Sequence, residues 1–214
     1  MNTKEIYFKQ YNIDRTKAEK RALVKNNNGI TTAMTEMLGE KIIKQFKIFD
    51  EVFPENTGYK KVVSKKFQKA GVDYEVYNEN EIIYIDIKVC VGPDYSMMPE
   101  DYNDPSNAIE SKAIPIEIYQ NGIFTNTKGK LTDFMLYIIA DNSGISYSLL
   151  SYEEIMKISM DHKRQVEYYM EEDYRRFARF INKGAYKWYT SNNGSGIYIK
   201  FPICPVKLTR AIVE

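Results

Sequence analysis

The alternation of apolar and polar residues is clearest from residue 72 onward. Val72, Tyr74 and Val76 alternate with Asp73, Glu75 and Tyr77, and a second alternating run follows the polar stretch Asn78-Glu79-Asn80. In that second run Ile83, Ile85, Ile87, Val89 and Val91 share one face, and Tyr84, Asp86, Lys88 and Cys90 share the other. Successive side chains of a strand point to opposite faces, so the pattern predicts two strands with an apolar face on a core, joined by a turn. Upstream, Met34, Met37, Leu38, Ile42, Phe46 and Phe49 fall on one helical stripe and predict an amphipathic helix from Thr31 to about Phe49, capped by Thr31 or Thr32. Residues 1–28 are charged and read as an arm or a short helix, and residues 52–66 as a loop or short strand. Gly92-Pro93-Asp94 ends the long strand, because proline cannot donate to a ladder, and residues 93–112 read as a surface loop. Further strands are expected at 114–120, 133–140 and near 145–150. Ser151-Tyr152-Glu153-Glu154 is a capping box that opens a helix, a second helical stretch runs to about Asn182, and Ile197–Ile203 is a final strand.

Register decides what the hairpin can do. If a two-residue turn pairs Asn78 with Glu81, Asp73 falls directly opposite Asp86; a regular three-residue loop offsets them. Directly opposed residues have Cβ atoms about 4.5–5.5 Å apart, close enough for two carboxylates to share one hard cation. Two charges inside an otherwise apolar run are costly unless partnered, which is the second reason to expect a cation there.

At these residues the chain resembles the PD-(D/E)XK nuclease superfamily, in its phage and restriction-type members. Asp73 matches the first acid, with Val72 where the name has proline; Asp86 matches the second acid and Lys88 the lysine. The segment FQKAGVDYEV is similar to the Q-x-x-G-[IV]-D lead-in of that subgroup. IPIEIYQNGIF, carrying Glu117, and KLTDFMLYIIAD are similar to its later strand and its TD-aromatic strand, so the likeness covers residues 30–150 or so.

The resemblance implies an α/β fold: a central mixed sheet flanked by helices, with a restriction-endonuclease-like core. It implies one domain over 1–214, with the core at about 30–150 and a helical and strand extension at about 151–214. The implied activity is magnesium-dependent hydrolysis of phosphodiester bonds in DNA, with manganese able to substitute. Asp73, Asp86 and the Ile87 carbonyl would hold the ion, Lys88 would assist the attacking water, and Glu40 on the first helix would complete the site, with Glu36 the alternative. Two rivals stand beside this reading: a catalytically silent member that binds nucleic acid or protein, and a homodimeric junction-cutting endonuclease.

Composition narrows the partners. The net charge of +1 gives no global attraction for a polyanion, so a nucleic-acid surface has to be a local patch. Lys60, Lys61, Lys65, Lys66 and Lys69 cluster before the first acid, Lys128 and Lys130 lie in the later motif, and Arg164, Arg175, Arg176 and Arg179 lie on the second helical stretch. These are the candidates for contact with a DNA backbone, against the plainer reading of solvated charged faces. Two cysteines and one histidine are too few for a Cys/His zinc site or a disulfide framework and fit a reducing compartment. No run reaches the ~20 apolar residues of a membrane span. The expectation is a cytoplasmic protein without a membrane partner.

Overall fold

A computed structural model describes residues 3–24, 29–91, 113–120, 123–125, 130–141, 144–164, 167–168, 188–190, 196–202 and 206–208. In chain order these form α1 (Thr3–Gln10), α2 (Arg15–Val24), α3 (Ile30–Gln45), α4 (Ile48–Val52), β1 (Gly58–Lys61), α5 (Lys65–Lys69), β2 (Tyr74–Tyr77) and β3 (Ile82–Val91). Then come β4 (Ala113–Gln120), β5 (Ile123–Phe124), β6 (Phe134–Asp141), β7 (Gly144–Ser151), a helix over 152–164 (α6), β8 (Trp188–Thr190), β9 (Gly196–Pro202) and β10 (Val206–Leu208). The expected 93–112 loop, the helical stretch beyond 168, Lys128, Arg175, Arg176 and Arg179 lie outside the described residues.

The chain divides into two interleaved units: Met1–Tyr95 with Phe134–Leu149 and Pro205–Glu214, and Ser96–Asp133 with Leu150–Cys204. The first is of the α/β class, a mixed sheet flanked by helices, with strand order β1-β2-β3-β6-β7-β10. β1, β2 and β3 pair antiparallel, β3 and β6 pair parallel, and β10 pairs antiparallel with β7. The second unit has a separate sheet in the order β5-β4-β9-β8. The expected core of residues 30–150 is therefore shared between two units. The strand foreseen at 114–120 forms as β4, but in the second sheet.

The alternation read from the sequence is the alternation of the core. Ile83, Ile85, Ile87, Val89 and Val91 of β3 all belong to one apolar cluster with Leu38, Ile42 and Ile43 of α3 and Leu136, Ile138 and Ala140 of β6. The other face of β6 is covered too, for Met135, Tyr137 and Ile139 are buried, as is usual for parallel strands. The charged N-terminal segment is more than an arm: it folds as α1 and α2, and Tyr7, Phe8 and Tyr11 join the core. The helix expected from Thr31 to Phe49 breaks at Lys47, whose left-handed backbone (φ 48°) separates α3 from α4. Its cap is Gly29 rather than Thr31 or Thr32.

Gly39 sets how closely α3 lies on the sheet. A Cβ built there would stand 2.5 Å from Val89 Cγ2, so only glycine allows this approach. Alanine at this position would gain about 1 kcal/mol of helix propensity, but overpacking a core costs typically 1–3 kcal/mol. Gly39→Ala is expected to lower the melting temperature. Adding Val89→Ala should recover part of the loss, so that the double variant is less destabilised than the two single losses added together. Strict additivity in thermal melts would show that this contact does not set the helix position.

Candidate active site

The hairpin has the register that brings the two acids together. Tyr74 pairs with Ile85, Glu75 with Tyr84, Val76 with Ile83 and Tyr77 with Ile82, and the Asn78 N–H donates to the Glu81 carbonyl at 3.1 Å. Neither Glu79 nor Asn80 has the positive φ of the usual two-residue hairpin turn. The Asn78 side chain holds the turn instead, its Oδ1 accepting the N–H groups of Asn80 and Glu81 at 2.9 and 2.8 Å.

At the other end of β2 the ladder stops one residue short of the expected Asp73–Asp86 pair. The Asp73 N–H donates to the Ile85 carbonyl at 2.8 Å although Tyr74 is the residue paired with Ile85, so two residues meet one, as in a β-bulge. The Asp73 carbonyl accepts the Val62 N–H at 2.8 Å, and its side-chain Oδ2 accepts the Ile87 N–H at 3.0 Å. Three hydrogen bonds thus fix Asp73, and the last carries its carboxylate across to β3. Because the N–H and C=O of one strand residue point to the same edge, the Ile87 carbonyl faces the edge that Asp73 reaches.

The lead-in to Asp73 is built to hold this position. The Gln68 Nε2 donates to the Val62 carbonyl at 2.9 Å, which makes Gln68 a backbone clamp. Gly71 takes φ +85°, a conformation that a Cβ disfavours, and turns the chain from α5 into the buried Val72 and then Asp73. These contacts give a physical reason for the Gln68, Gly71, Val72, Asp73 pattern.

Asp86 is only 3% exposed. Its Oδ1 accepts the Lys88 ammonium at 3.1 Å, whereas its buried Oδ2 has no hydrogen-bond partner among the described residues. The Lys88 side chain is 47% exposed, so the ammonium lies at the open end of the group. Burial pushes the Asp73 carboxyl up to about 6; the Ile87 N–H opposes the rise, and the neighbouring Asp86 charge adds to it. The buried Asp86 carboxylate, the half-buried Asp73 carboxylate and one ammonium leave a negative balance, and an orphaned carboxylate oxygen is the kind of atom a cation satisfies.

Glu40 is placed elsewhere. Its Oε1 accepts Arg21 of α2 at 2.6 Å and is also bonded by Lys61 of β1, while Arg21 also meets Glu36 Oε2 at 2.9 Å. Burial works to raise the Glu40 pKa, but the hydrogen bonds from Arg21 and Lys61 outweigh it and hold the carboxyl below its usual range. Among the described residues no three Asp, Glu, His or Cys side chains gather to hold a metal ion. The expected four-part set of Asp73, Asp86, Ile87 and Glu40 is therefore brought together without Glu40. Arg21 was not foreseen, since nothing in a charged N-terminal stretch distinguishes the residue that clasps a distant helix.

The basic candidates also separate. Lys60 donates to Glu75 at 2.8 Å, which raises its pKa, and Lys61 is bound to Glu40. Lys65 and Lys66 are exposed on α5. Lys130 and Glu117 belong to the other unit, where the Lys130 ammonium lies 5.5 Å from the centre of the Tyr152 ring and Glu117 lies on β4. No described helix is long and apolar enough to cross a membrane. Comparison with protein-family models, with curated proteins and with solved structures finds no match to this chain.

The raised Asp73 carboxyl has a measurable consequence when no cation is present. It keeps its proton up to about pH 6 in the folded chain, against 3.8 as its ordinary value, so the folded state binds the extra proton within that window. The stability this contributes is full below pH ~4 and is lost as pH rises through about 6. In chelator, the parent should lose up to roughly 3 kcal/mol relative to Asp73→Asn across that window. Urea midpoints measured from pH 4 to 7 check this, and a constant difference between the two proteins would refute it.

Proposed function

We propose that this protein is a magnesium-dependent nuclease that hydrolyses phosphodiester bonds in DNA, with a restriction-endonuclease-like core in its first unit. The observation that supports it most is the buried Asp86 Oδ2, which has no hydrogen-bond donor among the described residues, beside a second carboxylate and an exposed ammonium. The donor set fits the ion, because magnesium is commonly held by one or two carboxylates and keeps several waters. Asp73, Asp86 and the Ile87 carbonyl would hold it, and manganese would take the same ligands.

The bound ion would supply Lewis acidity toward the phosphate and an acidified water. The chain's own residues do the rest. Asp73 is oriented by the Ile87 N–H and must lose its proton before it can serve as a ligand, so the ion and the proton compete for this carboxyl and metal binding weakens as pH falls. Lys88, anchored through Asp86 Oδ1, presents an ammonium to the solvent side, where it can orient the attacking water and offset the charge that grows on the phosphoryl oxygens. Asp86 thus has two tasks, one for each oxygen.

One observation favours the silent-binder alternative: Glu40 is already occupied by two cations, which leaves the site with two carboxylates. Cleavage assays separate the readings. With magnesium or manganese, Asp86→Asn and Lys88→Ala are each expected to lose at least ~10²-fold in the rate of DNA cleavage. Both should melt cooperatively, and Asp86→Asn should melt no lower than the parent in chelator, because the charge it removes is buried beside a second carboxylate and is met by Lys88 at one oxygen only among the described residues. The added metal should raise the melting temperature of the parent but not of Asp86→Asn. Parent-level cleavage by these variants would end the catalytic assignment.

A further inference from the structure

The lysine cluster that precedes the first acid is one block in the sequence and two groups in space. Lys60 and Lys61 lie on β1 and have their charges met by Glu75 and Glu40. Lys65, Lys66 and Lys69 lie on α5, are exposed, and have no ion-pair partner among the described residues. At about 100° per residue, Lys65, Lys69 and Lys66 fall within one third of the helix circumference. Phe67 points the opposite way, and its ring centre lies 5.9 Å from that of Tyr84. Gln68 clamps the Val62 carbonyl on the remaining side. The short helix is thus pinned by its uncharged side chains, and the three ammonium groups face outward.

Tyr84 is two residues before Asp86 on the same face of β3, and Asp86 is two residues before Lys88. A two-residue step along a strand is about 6.6–6.8 Å. The aromatic pair therefore seats α5 beside the acid pair, on the side away from Lys88. Three unpaired cations on one exposed arc are an electrostatic footprint for a polyanion, and on a chain of net charge +1 such a footprint has to be local.

We infer that the Lys65, Lys66 and Lys69 face of α5 is the track on which one strand of DNA is held by its phosphates as it runs toward Asp73 and Asp86. This rests on the nuclease reading for its direction, but not for the binding itself. The contact reads phosphate alone: Phe67 is spent on Tyr84 and no base-reading side chain stands on the lysine arc, so binding by this face is independent of sequence. Lys60 and Lys61 take no part, since their carboxylate partners already neutralise them.

The test is the salt dependence of binding in chelator, where no cleavage occurs, with fluorescently labelled DNA duplexes of two unrelated sequences. The slope of log K against log salt should be the same for both sequences. It should become shallower by about 2–3 in the triple variant Lys65→Gln, Lys66→Gln, Lys69→Gln, at ~0.9 for each phosphate that is no longer neutralised. Lys60→Gln should keep the parent slope. An unchanged slope in the triple variant, or a parent that binds no DNA at low salt or only RNA, overturns the track. If the triple variant loses slope and the parent never cleaves with magnesium or manganese, the track stands and the nuclease reading falls. If the parent cleaves and the triple variant binds as tightly as the parent, the track falls and the nuclease reading stands.

Discussion

The site depends on where one short strand stops. β2 is four residues long, and at each end a side chain takes over a hydrogen bond from the backbone. At the turn Asn78 Oδ1 accepts the Glu81 N–H, and at the far end Asp73 Oδ2 accepts the Ile87 N–H. Asn and Asp compete with main-chain ladders in this way because their acceptors sit only two bonds beyond Cβ. The second replacement has a chemical result. It frees the edge of β3 from its antiparallel neighbour at Ile87 and fills the place with a carboxylate, next to Asp86.

The structure holds two charged clusters whose accounts differ. Around Glu40 the charges balance, with Arg21 and Lys61 against Glu36 and Glu40, and the bonds tie α2, α3 and β1 together. Such a cluster is complete in itself and serves to fix elements in place. Around Asp86 the charges are Asp73 and Asp86 against Lys88, and one buried oxygen is left over. An unsatisfied buried polar atom costs ~1–3 kcal/mol, more when it is charged, and a fold keeps such a cost mainly where it serves a ligand. The imbalance, more than any motif, separates the candidate site from the self-contained cluster.

Much of this was legible in the chain. The alternation in 72–91 placed every core residue of β3 on the correct face, while the register stayed open between a two-residue and a three-residue turn until the Asn78–Glu81 pairing decided it. The bulge at Asp73 was not legible, since it depends on the Val62 and Ile85 backbone groups that β1 and β3 bring to it. Glu40 was drawn to the site by the resemblance, yet it is held by Arg21 of an N-terminal helix, whose packing the charge pattern hid, and by Lys61 of β1. The basic cluster looked uniform because sequence proximity does not show which ammonium groups have carboxylates across a strand or against a helix. The β4 strand was recognised as a strand, but its sheet was not, because its partner β9 is fixed by long-range pairing.

Along β3 exposure rises from the sealed Asp86, at 3%, to the Lys88 side chain, at 47%. Ile82–Ile85 pair with β2 and Ile85–Val91 pair with β6, so the β2 ladder ends where the β6 ladder begins. Loss of one neighbour opens the edge just where the charge changes sign. A buried carboxylate on the sheet face has little room to change rotamer, whereas the half-exposed ammonium two residues on can follow an anion in solvent. Rigid placement for the acid and reach for the base come from one cause, the early end of β2, and that is why a single strand end is enough to make an acid pair and a lysine act as one group.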